Sequence, residues 1–145
     1  MTLQNLVGIS LDEVRPAREQ VAKLLAAAQR NLADAQLAAL SNENRFDAAY
    51  KAIMQLAMLA LHANGYRTLT SRPGHHQTAI QTLPETIGLE KPRVIVLDAL
   101  RKQRHLSDDS GDIVPDTAVN ECIHSARLLL AAIENWLRET KPDLL

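Results

Sequence analysis

The sequence predicts an all-α fold: an antiparallel up-and-down bundle of about five helices. Three observations carry this reading. Apolar residues recur at steps of three and four through most of the chain. Five glycines and six prolines in 145 residues are too few for the many turns of an all-β sandwich. Aromatic residues make up only 3%, so the core is built from Leu, Ile, Val and many Ala.

The first ten residues read as a flexible N-terminal arm, and residues 11–141 as a single helical domain. The first helix is expected to begin near Leu11 or Pro16. Ser10 or Asp12 can cap it, and Pro16 suits a first turn, where its missing N–H would have no partner anyway. Its apolar stripe is Val21, Leu24, Leu25, Ala28, Leu32, Ala35 and Ala39. Leu37 and Leu40 fall off that stripe, which predicts a last turn buried on more than one side.

Ser41 is the expected cap of the second helix, with Asn42 and Asn44 as competitors. Its stripe runs through Phe46, Ala49, Tyr50, Ile53, Leu56, Ala57, Ala60 and Leu61, widened by Met54, Met58 and Leu59. A helix this apolar is central in its bundle or forms part of a dimer face. Asn64 and Gly65 end it. Tyr66 to Gly74 reads as a polar loop, and a shorter helix follows from about His75 to Leu83. Pro84 breaks that helix or opens a further turn through Thr86 and Ile87, ending at Gly88.

Pro92 starts the next helix. Its β-branched run Val94-Ile95-Val96-Leu97 also fits a strand, but a lone strand has no partner, and the run continues into helical Asp98-Ala99-Leu100-Arg101-Lys102. Ser107 to Pro115 reads as a second polar loop. Asp116 or Thr117 then caps the last helix, whose stripe is Val119, Cys122, Ile123, Ala126, Leu129, Leu130, Ile133, Trp136 and Leu137. Pro142 ends it.

Composition narrows the function classes. A net charge of −1 gives no global field toward nucleic acid or membrane, so any anion site is a local patch. The longest apolar stretch, Ala52 to Leu61, is too short for a membrane span of about 20 residues. No signal-peptide pattern is visible, and the single Cys122 rules out an intrachain disulfide and a multi-cysteine zinc site. The chain is therefore expected to be soluble, cytoplasmic and without a membrane partner. The residues suggest neither cofactor nor metal.

The most basic stretch is Arg101-Lys102-Gln103-Arg104-His105. It reads either as a solvated helix end, where the backbone dipole favours cations, or as a phosphate-binding patch of Arg101, Lys102 and Arg104. Arg101 and His105 lie one helical turn apart and can face the same side. Arginine holds phosphate in a two-pronged hydrogen bond, and histidine moves protons near neutral pH. Such a pair suits metal-free RNA cleavage through the 2′-hydroxyl. Asp108, Asp109 and Asp112 read as a polar turn, with magnesium as the alternative. Adjacent His75 and His76 point about 100° apart on a helix and form no natural chelate. Cys122 and His124 fall on nearly opposite sides of the last helix, which rejects a zinc pair. His62, near the end of the second helix, fits core or surface.

The order of these pieces resembles the HEPN superfamily, the higher eukaryotes and prokaryotes nucleotide-binding domain. The resemblance spans the first to the last helix. It rests on Arg45-Phe46-Asp47-Ala48-Ala49-Tyr50-Lys51-Ala52 with Leu61-His62-Ala63-Asn64-Gly65-Tyr66-Arg67, on Pro73-Gly74-His75-His76, and on Leu100-Arg101-Lys102-Gln103-Arg104-His105 before the long last helix. Many such proteins are metal-independent ribonucleases, often toxins, whose arginine–histidine motifs meet across a dimer. In this sequence Arg104 takes the arginine place and His105 stands where asparagine is usual. The motif histidine would fall at Asp109. An ionised carboxylate there repels phosphate and cannot readily donate a proton.

The resemblance thus implies a dimeric module that binds a nucleotide, RNA or a protein, with a degenerate ribonuclease motif. A second expectation is a toxin-type endoribonuclease of a toxin–antitoxin pair. In it His105 is the general acid or base, and Arg101 and Arg104 hold the phosphate. A third is a helical partner subunit of a nucleotidyltransferase.

Overall fold

The periodic stripes fold as four long helices: α1 (Arg18–Ala35), α2 (Asn42–Ala63), α5 (Lys91–Ser110) and α6 (Asp116–Thr140). Two short ones, α3 (His75–Gln81) and α4 (Leu83–Ile87), join α2 to α5. These come from a computed structural model that describes residues 2–145. The all-α bundle expected from the sequence is present, and Val94–Leu97 is helical within α5.

Hydrogen bonds at the helix ends give the directions. Arg45 Nε donates to the Ala35 carbonyl at one end of the α1–α2 pair (2.8 Å), and the Ala17 N–H donates to His62 Nε2 at the other (2.9 Å). These two helices are therefore antiparallel. Arg104, late in α5, reaches Asp47, early in α2, so that pair is antiparallel too. Asn42 Nδ2 donates to the Val114 carbonyl (3.0 Å) and to Asp116 Oδ1 (2.7 Å), which sets the starts of α2 and α6 side by side. The chain runs up, down, up, down, with α2 and α6 parallel.

The second helix is enclosed on almost every side. Phe46, Ile53, Leu56, Leu59 and Leu61 are all buried, as are Ala49, Ala52, Ala57, Ala60 and Ala63. Ser41 caps it as expected, its Oγ accepting from the Asn44 N–H (3.1 Å). Of the two fates the sequence leaves open for this helix, the structure shows the central one. Its wide apolar surface is covered by α1 and α6 and by the α3–α5 side.

Three local features differ from the sequence reading. First, a two-stranded antiparallel ribbon forms from β1 (Leu11–Glu13) and β2 (Tyr66–Thr68). It takes the residues where α1 was expected to begin, and α1 starts only at Arg18, beyond Pro16. The proline holds its preceding residue extended, which suits a strand exit better than a helix. Gly65 makes the turn into β2 with φ +93°, a conformation that suits glycine, and its carbonyl accepts from the Val14 N–H. Ahead of β1, within the span read as an arm, Leu3–Leu6 form a 3-10 turn, and Leu3 and Leu6 pack against the core.

Second, α1 ends at Ala35, and Leu37 and Leu40 lie in the exposed turn beyond it rather than in a doubly buried helix end. Third, Ser107–Ser110 are helical, so the expected polar loop shrinks to Gly111–Pro115. Gly111, with φ +72°, closes α5. Polar residues with no apolar stripe give no periodic signal, and the left-handed glycine is the true stop.

Leu59, in the last third of α2, has no exposed surface. Leu59→Ala is expected to lower unfolding free energy by about 2–5 kcal/mol in urea denaturation, because the enclosing helices cannot collapse fully onto the space left behind.

Candidate functional site

A cleft of about 280 Å³ opens where the start of α3 meets the second half of α5 above Tyr50 of α2. Arg101, Arg104 and His105 line it from α5, and Gly74, His75, His76 and Gln77 from α3. Gly74 holds φ +81° as the residue before α3, which turns the chain so that both imidazoles follow at once. Two members of the basic stretch, Arg101 and Arg104, therefore face a recess as half-buried side chains, with exposed His105 at its rim.

Each arginine has a carboxylate partner. Arg101 Nε lies 2.8 Å from Asp98 Oδ1, and Arg104 Nε lies 3.3 Å from Asp47 Oδ1. Burial works against an ionised Asp98, but the hydrogen bonds and charges of Arg101 and Lys102 outweigh it and hold the carboxyl below its usual range. Both guanidiniums stay only partly exposed. The Arg104 guanidinium lies over the Tyr50 ring, 5.1 Å from its centroid.

Tyr50 and His76 form the floor. The Tyr50 hydroxyl and His76 Nδ1 are 3.1 Å apart. Burial pushes the phenol up to about 12, against the lowering pull of Arg104 and Arg101. Burial also lowers His76, and His75, Arg104 and Arg101 lower it further. At neutral pH the phenol therefore keeps its proton and the imidazole is uncharged, so the two share one hydrogen bond whose donor is set by the imidazole tautomer.

The sequence-derived residues divide. Arg101, Arg104 and His105 line the cleft, with Asp108 at its edge. Lys102 does not line it; its Nζ lies 3.4 Å from Asp98 Oδ2 on an exposed side chain. Asp109, at the expected motif-histidine place, sits one helical turn beyond His105, with 3.3 Å between His105 Nε2 and its Oδ2. Both side chains are more than two-thirds exposed. An exposed pair of this kind contributes little to stability.

Tyr50 and His76 are the members that sequence reasoning missed. In the sequence Tyr50 falls on the apolar stripe of α2, and His76 reads only as one of two adjacent histidines that form no chelate. The usable signal was the hydroxyl: a tyrosine on a core stripe needs a polar partner. His62 is explained elsewhere, accepting the Ala17 N–H ahead of α1. Burial, with smaller contributions from Asp47 and Glu121, pushes the Cys122 thiol up to about 12, so it stays protonated in the core. Among the described residues, no group of three or more His, Cys, Asp or Glu is placed to hold a metal ion, and no helix is long and apolar enough to cross a membrane.

Comparison with protein-family models, with curated proteins and with solved structures finds no match to this chain.

His76 binds its proton less tightly in the folded chain than at its ordinary value of 6.5. The unfolded chain then takes up more protons as pH falls through that value, so stability is full above it and declines below it. Thermal melting is expected to fall from about pH 7.5 to about pH 5.5, and to fall less in His76→Gln. Equal slopes in the two proteins would contradict this assignment.

Proposed function

We propose that the chain is a cytoplasmic, homodimeric HEPN-like module that binds the phosphate of a nucleotide or of RNA in the α3–α5 cleft and does not cleave it efficiently. The observation that carries this is the convergence of Arg101, Arg104, His75, His76 and His105 on one recess. Two guanidiniums within one turn of a helix match the geometry that holds phosphate oxygens. The carboxylates of Asp98 and Asp47 keep both in place, and an arriving phosphate adds to these hydrogen bonds or replaces them.

Efficient cleavage needs an acid and a base placed on either side of the scissile phosphate. Asp109 occupies the motif-histidine place and is paired with His105, which argues for binding over turnover.

The homodimer part draws on the α5–α6 surface. Ile95, Val96 and Leu128 stay exposed there, Ile95 at 69%. Val96 and Leu128 line a groove with Arg93 and Glu121, so a two-fold copy can answer each charge with its opposite. Sedimentation equilibrium at micromolar concentration is expected to show a dimer, and Ile95→Glu a monomer. A monomer in the unmodified chain removes this part.

Binding is tested with labelled single-stranded RNA and no added metal. Arg101→Ala and Arg104→Ala are each expected to weaken binding about tenfold, the loss of one charged hydrogen-bond set. Affinity should also fall steeply with salt. The RNA should stay intact. Rapid cleavage that disappears in Arg104→Ala and His105→Ala would overturn the binding reading and favour the toxin-type ribonuclease.

A further inference from the structure

On the other side of Arg104, α2 offers a second recess of about 220 Å³. Met54 and Met58 line it, with Gln55 and Lys51 beside them. It shares Tyr50, His76 and Arg104 with the charged cleft, so these three side chains form a common wall between an ionic compartment and a largely hydrocarbon one. Each compartment alone is smaller than most small-molecule sites, which span about 300–1,000 Å³; joined across that wall, they reach this range.

We propose that this second recess receives the base of a nucleoside phosphate, free or within RNA, and that Gln55 hydrogen-bonds the base edge. The inference rests on the phosphate reading above and extends it from an anion site to a two-part nucleotide site.

The chemistry of the walls supports a flat, partly polar occupant. The Arg104 guanidinium is planar, and its central carbon lies over the Tyr50 ring, 5.1 Å from the centroid. Bases stack on arginine planes as they do on aromatic rings. Methionine is flexible and polarizable, and it adapts to a flat ring better than a branched side chain does.

Gln55 supplies the polar feature. Its Oε1 already accepts from Asn31 Nδ2 of α1 at 2.8 Å, which orients the amide. The Nε2 protons remain to donate to ring nitrogens or carbonyl oxygens, which the bases present at their edges. A purely structural Asn31–Gln55 pair needs no recess beside it. Lys51 at the margin adds a cation within reach of a neighbouring phosphate in a strand.

The test is titration calorimetry on the full chain with inorganic phosphate, ribose 5-phosphate, uridine 5′-monophosphate, adenosine 5′-monophosphate and a short single-stranded RNA. At least one nucleoside monophosphate is expected to bind about tenfold or more tighter than ribose 5-phosphate, as a stacked base does. In Gln55→Leu, with the helical circular dichroism retained, that ratio should collapse toward one. Equal affinities in the unmodified chain overturn the base recess and leave the phosphate site standing. A ratio that survives Gln55→Leu overturns the role of Gln55. RNA binding that Gln55→Leu weakens, where the monophosphates fail, supports the proposal and makes the polymer the source of the base. If none of the five ligands binds, the phosphate reading itself falls, and the failure is distinct from the others.

Discussion

The structure depends on the enclosure of one helix. α2 carries a large residue or an alanine at each buried position, and the alanines let neighbouring helices come close without leaving voids. Leu and Ile side chains from α2 then fill the space between α1 and α6. Because so much of α2 is covered, its position is fixed by several partners at once. Tyr50 inherits that rigidity, and with it the floor of the cleft. A site built on a helix in this position holds its geometry better than one built on a loop.

Charge at the cleft is arranged around that floor. Arg104 is held from below by the Tyr50 ring and from the side by Asp47, while Asp98 anchors Arg101 within α5. Neutral His76 adds no further positive charge at pH 7, so two guanidiniums, the half-buried His75 and the exposed His105 meet there without a fully buried cation. The carboxylates keep the arginines from repelling each other in the empty cleft. The cost is that any anion must compete with them, which favours a ligand that brings binding energy from a second group.

Much of this was legible in the sequence, for physical reasons that vary by element. The stripes of α2 and α6 are long and apolar, so a period near 3.6 identified them. Pro92 marked the first turn of α5, and Gly65 and Gly88 marked helix ends through a conformation that suits glycine. The β1–β2 ribbon was not legible: its strands are three residues each, and only Leu11 and Thr68 in them are buried. Its partners also lie some fifty residues apart, a pairing that local pattern cannot supply. Ser107 to Ser110 look like a loop in composition, so the pattern stops short of the true end of α5 at Ser110. At the site, Arg101 and Arg104 stood out as charge, but their meeting with His76 and Tyr50 depends on how α3 crosses α5. No spacing within one helix encodes that crossing.

The last turn of α5 carries a consequence for how the cleft admits anything. Nothing from Ser107 to Ser110 is buried, and beyond backbone bonding the turn is tied by the exposed His105–Asp109 pair and by Ser110 Oγ, which accepts from the Asp112 N–H. A turn with so little buried surface opens locally at small cost to the core, whereas opening the enclosed α2 costs most of the global stability. The rim bearing His105 and Asp108 is therefore the compliant edge of an otherwise stiff receptacle.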